Sequence, residues 1–235
     1  MPSIFLKKFD RRINKKLCGN IAICYFFVST PDAPWNQICQ SEFETKIKKV
    51  SDFFEKEANK KGIPLTIKNE IKSVTFSHTI YSSDDAKSWE REILKVLRYS
   101  DILNMWHIFK SKLNVEDVAF CLVFYTDGRG FATLPGSLRK GGFAVVYNES
   151  TVGTCAHEIC HLYGAKDFYY TEFVEETAKK HFGKSIMVES DSMVIDPLTA
   201  YLIGWDKKLD SRAKAFLKDT AGITTKEWEK AEEQT

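Results

Sequence analysis

Residues 116–127, EDVAFCLVFYTD, constrain the fold more than any other stretch of this chain. From Val118 to Tyr125 every side chain is apolar or aromatic. A run of that kind belongs to a strand buried inside a sheet, since a strand with one wet face would alternate. IAICYFFV at 21–28 is a second buried strand, and GGFAVVYN at 141–148 a third. PLTIKNEIKSVTFSHTI at 64–80 alternates in places, as a long half-exposed strand does. GRGFATLPG at 128–136 is a turn followed by a short segment interrupted by Pro135, which suits a sheet edge. Between the strands the period changes. From Asn36 to Lys61 apolar residues recur at helical spacing (Ile38, Phe43, Ile47, Val50, Phe53, Phe54), and Gly62 and Pro64 end the helix. Residues 82–110 open with cap-type Ser and Asp and continue as one or two helices. DPLTAYLIGW at 196–205 is a helix with Pro197 in its first turn, and helical segments run on to the C-terminus. The order predicts an α/β (α+β) fold with a twisted mixed sheet and long helices. It reads as one domain over 1–235, with an N-terminal subdomain at about 17–165 and a helical C-terminal one at about 166–235.

Charge excludes one class of partner. Lys+Arg number 34 and Asp+Glu 32, a net charge of +2, which gives no electrostatic case for nucleic acid. The six cysteines, at 18, 24, 39, 121, 155 and 160, form no CxxC pair, and several lie inside apolar runs where a thiol acts as a small hydrophobe. They read as reduced, which favours a cytoplasmic protein, with secretion or delivery to another compartment as the alternative. KKFDRRINKK followed by LCGNIAICYFFVS has the outline of a targeting segment. Asp10, Gly19 and Asn20 break that outline, so a buried strand is expected. No run approaches the ~20 apolar residues of a membrane helix, so no membrane partner is expected. Nothing in the sequence specifies an oligomer.

The chemistry concentrates in TCAHEICHLYGAKDFYY, Thr154 to Tyr170. His157 and His161 are four apart, so on a helix both imidazoles share a face and can reach one ion. Zinc takes histidine nitrogen, and catalytic sites use three protein ligands plus a water. Glu158 projects along nearly the same side, placed to take a proton from water activated by the ion. Gly164 lets the helix stop and bend sharply, because glycine tolerates positive φ. The bend brings Asp167 back as a third ligand. Glu175 or Glu176 would be the rival third ligand on a continuing helix, but such a helix gives Gly164 no purpose. Cys155 and Cys160 flank the ligands. A thiolate there would bind zinc, but residues one or two places from a ligand point elsewhere, so packing is the expected role.

The motif, His157-Glu158-x-x-His161-x-x-Gly164-x-x-Asp167, resembles that of the metzincin clan of zinc peptidases, in the variants whose third ligand is aspartate, as in snapalysin-like enzymes. The clan carries a methionine in a tight turn beneath the metal, and KSIMVES places Met187 in a similar context. The order of elements from Ile21 to Trp205 also resembles that clan, and DFYY…SIM…DPLTAYLIGW is similar in layout to immune-inhibitor-A-like peptidases. Some families of the clan place a tyrosine two residues after this methionine to support the oxyanion, but here Glu189 occupies that position. Tyr169, Tyr170 and Tyr201 are the remaining candidates.

The expected function is a zinc-dependent endopeptidase. One Zn2+ is held by His157, His161 and Asp167, and Glu158 is the general base. A peptide or protein substrate binds extended along the sheet edge at 130–136. Arg129, Arg139 and Lys140 form a basic rim near that edge. The alternatives are a catalytically inactive, zinc-stabilised binding module and a zinc hydrolase of a non-peptide amide.

Overall fold

The computed structural model describes residues 4–6, 13–77, 79, 86–133 and 142–221. Leu134, Pro135 and Gly136 of the expected edge segment, Arg139 and Lys140 of the basic rim, and the segments after residue 221 lie outside the described residues.

The described residues form a mixed α/β structure. The strands are β1 (Gly19–Ser29), β2 (Leu65–Thr75), β3 (Asp117–Phe124), β4 (Phe131–Ala132) and β5 (Ala144–Tyr147). The helices are α1 (Gln37–Lys60), α2 (Ala86–Val96), α3 (Ile102–Leu113), α4 (Val152–Leu162), α5 (Glu172–Phe182), α6 (Pro197–Leu202) and α7 (Ser211–Asp219). The sheet order is β2-β1-β3-β5-β4. The first four strands run parallel, and β4 is antiparallel to β5 at the edge.

The continuous apolar runs are explained by what covers them. On β1, Ile21, Ile23, Tyr25 and Phe27 share a core with Phe43, Ile47, Val50 and Phe54 of α1 and Ile159 and Cys160 of α4. The alternate residues Ala22, Cys24, Phe26 and Val28 pack with Trp89 and Ile93 of α2 and Met105 and Phe109 of α3. Helices on both faces leave β1 and β3 no wet side, and every residue from Ile21 to Val28 is fully buried. The apolar run at 21–28 is therefore an interior strand. Ile38 departs from the apolar face expected of α1 and is 74% exposed. It lies five residues before Phe43, about 140° round the helix from it.

The C-terminal elements share the α1/α4 side of the core, through Phe168, Val174, Ile186, Met187, Leu198 and Phe216. The chain beyond α6 is tied to the N-terminal segment. Trp205 Nε1 donates to the Leu17 carbonyl at 2.5 Å, and Leu17 N–H donates to the Ile203 carbonyl at 2.9 Å. No described helix is long and apolar enough to cross a membrane.

Candidate metal centre

Helix α4 starts at Thr151, whose hydroxyl oxygen accepts from Thr154 N–H at 3.1 Å. It ends in a Schellman bend. Ala165 N–H reaches the Cys160 carbonyl at 3.1 Å and Gly164 N–H the His161 carbonyl at 2.9 Å, with Gly164 at φ 99°. The bend does two things at once. It reverses the chain so that Asp167 faces α4, and it points the Ala165 carbonyl at His161 Nδ1, 3.0 Å away. His157 Nδ1 donates in the same way to the Ile186 carbonyl at 2.8 Å.

A carbonyl only accepts, so both Nδ1 atoms carry hydrogen and both Nε2 atoms of the neutral rings present lone pairs. The rings stand at 87° to each other, which brings the two Nε2 atoms to 3.0 Å. Asp167 Oδ1 lies 2.9 Å from His157 Nε2 and 3.2 Å from His161 Nε2, and has no hydrogen-bond partner. Three electron-rich atoms therefore face one another, and only positive charge relieves their repulsion. Ligands about 2.05 Å from a tetrahedral ion would be about 3.3 Å apart, close to the separations found. The titration of the group expresses the same demand. Burial alone would raise the Asp167 carboxyl, but the two imidazoles, once they take up protons, hold it well below the usual carboxylate range. Burial lowers His161, but Asp167 more than reverses that. The residues present fit a divalent ion.

Glu158 is buried one position along, its Oε1 4.0 Å from His157 Nε2 and its Oε2 without a partner. Burial pushes its carboxyl up to about 8; His157 and Arg129 oppose the rise and Asp167 adds to it. His157, Glu158 and His161 together form a group able to hold a metal. An orphaned carboxylate oxygen this close to the imidazoles has no structural use. Glu158 lines a cleft of ≈ 360 Å³.

One wall of the cleft is Arg129 and Gly130, leading into β4. A Cβ on Gly130 would meet Thr154 Cγ2 at 2.9 Å and Glu158 Oε1 at 3.2 Å, so the absent side chain lets the strand lie against the carboxylate. A second wall is Val188, Glu189 and Ser190. That segment is clamped to the first turn of α4, where Thr151 Oγ1 donates to Asp191 Oδ1 at 2.6 Å. A Cβ on Gly153 would lie 2.2 Å from the Ser190 carbonyl oxygen. Gly153→Ala must therefore push this wall outward. The expected loss is about 1–3 kcal/mol of stability, read by thermal unfolding.

Tyr169 closes a third side, stacked on His157 at 6.1 Å and 20°. The Arg129 guanidinium sits 5.6 Å from the Tyr169 ring centroid and bonds its hydroxyl. Burial pushes the Tyr169 hydroxyl well up, so it stays protonated. Tyr170 stacks on Tyr169 and packs partly buried against the core, while Tyr201 lies half-buried on α6. Neither lines the cleft. Met187 is fully buried in the turn at 185–188, and its carbonyl accepts from Phe168 N–H at 2.9 Å. Glu175 pairs with Lys179 and Glu176 is exposed, both on α5. Cys155 and Cys160 are free thiols in the core, raised by burial, Cys155 to about 12.

The sequence reading did not find Gly153, Thr154, Val188 or Ser190. The Val188–Ser190 wall appeared there only as the end of the KSIMVES turn, with Glu189 as the occupant of a tyrosine position.

No protein-family model matches the chain, and no curated protein matches it. Among solved structures it is similar to wild-type OgpA from Akkermansia muciniphila, at 16% identity with a TM-score of 0.44. That likeness covers 86% of this chain and 64% of OgpA, so the chain spans less than two thirds of that protein. It is also similar to archaemetzincin from Methanopyrus kandleri, at 15% identity with a TM-score of 0.36, covering 87% of this chain and 97% of that one.

Proposed function

We propose that this chain is a zinc-dependent endopeptidase of metzincin type. The observation that carries the reading is the triangle of His157 Nε2, His161 Nε2 and Asp167 Oδ1, with sides of 2.9, 3.0 and 3.2 Å. A purely structural site would have no use for the partnerless Glu158 carboxylate beside it, which favours turnover over a binding module.

His157, His161 and Asp167 would hold the ion. Bound zinc supplies Lewis acidity, polarising a carbonyl and lowering the pKa of water. Glu158 takes the proton of the attacking water and hands it to the leaving amine. The substrate lies extended along β4, the last strand of the sheet among the described residues, and pairs with its backbone beside Glu158. Met187 sits in the turn whose Ile186 carbonyl accepts from His157 Nδ1, which supports reading that turn as a Met-turn.

Tyr169 is the oxyanion donor of choice among the three tyrosines. Arg129 donates to its hydroxyl oxygen, which leaves the hydroxyl hydrogen for substrate. Tyr169→Phe should lower kcat by about 10²-fold with little change in KM. A raised KM at unchanged kcat would make it a rim residue instead.

The function itself is tested by elemental analysis together with cleavage of a peptide library. About one equivalent of zinc is expected, with cleavage that a chelator stops and added zinc restores. Stoichiometric zinc with no cleavage would favour the binding module, and cleavage of small amides alone would favour the non-peptide hydrolase.

A further inference from the structure

We infer that Asp196 and Ser185 form a buried relay that fixes the orientation of His157, and so act as positioning residues for the metal centre. The inference rests on the metal reading above.

Asp196, Ser185 and Thr199 are 2%, 1% and 0% exposed. Asp196 caps α6 with one oxygen only: Oδ1 accepts from Leu198 N–H at 2.9 Å and Thr199 N–H at 3.0 Å. For that task Ser or Asn would serve as well, without burying a carboxylate. Its second oxygen is occupied by two hydroxyls, Ser185 Oγ at 2.7 Å and Thr199 Oγ1. Ser185 is where the relay leaves the helix cap. Having donated to Asp196, its oxygen accepts from Met187 N–H at 3.0 Å.

Met187 N–H and the Ile186 carbonyl belong to one peptide group. That group is planar, so fixing the direction of the N–H fixes the direction of the C=O at the other end. The C=O is the acceptor for His157 Nδ1 at 2.8 Å. The preceding peptide is held too, with Ile186 N–H on the Val194 carbonyl at 2.8 Å. The path therefore runs from Asp196 Oδ2 through the Ser185 hydroxyl and one rigid peptide to the imidazole, every link buried. It selects the tautomer that exposes the His157 Nε2 lone pair and sets the ring plane. Outer partners of metal-bound histidines act in this way.

Two variants separate the relay from mere packing, because each deletes one hydroxyl from the same carboxylate oxygen. Ser185→Ala cuts the path to His157, whereas Thr199→Val leaves it whole. Zn2+ affinity is measured by chelator competition, and the His157 tautomer by NMR of 15N-histidine-labelled metal-free protein. Ser185→Ala should weaken Zn2+ binding about 10- to 100-fold and populate both His157 tautomers. Thr199→Val should keep the wild-type tautomer and a Zn2+ affinity within about threefold. If Ser185→Ala does not fold, Asp196→Ser makes the cut instead. Its hydroxyl oxygen keeps the cap, and it has no second oxygen to accept from Ser185. Wild-type affinity and tautomer in the cut variant overturn the relay and leave the metal centre standing. So does an equal loss in both variants. A wild-type chain that binds no Zn2+ overturns the metal centre, and the relay falls with it.

Discussion

Glu158→Gln is expected to keep about one equivalent of zinc and lose hydrolysis by about 10²- to 10⁴-fold, the range of a general base. Glutamine has the same shape, so the contact between Gly130 and the side chain survives. What disappears is the proton-accepting carboxylate that stands beside the imidazoles. Metal retention is expected because Glu158 Oε1 stands 4.0 Å from His157 Nε2, outside the triangle of donor atoms. The metal-free variant should unfold at the wild-type temperature or slightly above, since a buried carboxyl without a partner at Oε2 is replaced by a neutral amide. Unchanged hydrolysis with zinc in place would remove Glu158 from the mechanism. Loss of zinc would instead make it a ligand.

The second large effect is expected at Asp167. Asp167→Ala should weaken zinc binding by more than about 100-fold, beyond what losing an outer partner costs. It removes the one anionic corner of the triangle and leaves two neutral nitrogens. Stability supplies an independent readout. Zinc at about 100 times its Kd should add about 2.7 kcal/mol to the wild-type chain, seen as a raised Tm. The same zinc concentration should leave the Tm of Asp167→Ala where it was. A variant stabilised by zinc as fully as wild type would show that the aspartate does not hold the ion.

Much of this architecture was legible in the chain because it depends on local pattern. The run Val118–Phe124 could only be an interior strand, and the β1 run had the same composition. Gly164 announced the bend by being the residue that tolerates φ 99°. Sheet order was less legible. The edge position of β4 followed from its short, Pro135-interrupted segment, but nothing local dictates that β1 lies between β2 and β3. The Val188–Ser190 wall of the cleft was hidden for a different reason. It depends on Ser190 meeting Gly153, 37 positions earlier, and a glycine inside a helix signals close approach without naming the neighbour. In sequence Asp196 is only the residue before Pro197, and its capping task accounts for Oδ1 alone. The task of Oδ2 appears only when Ser185 folds against it.

Two imidazoles and one carboxylate sharing a single divalent ion is the claim on which the chemistry depends. Anomalous diffraction at the zinc edge, from crystals of the zinc-loaded chain, tests it most directly. One peak is expected, about 2.0–2.2 Å from His157 Nε2, His161 Nε2 and an Asp167 oxygen, with the side toward Glu158 open to the cleft. A peak away from these three atoms, or a fourth side chain closing that side, would contradict it.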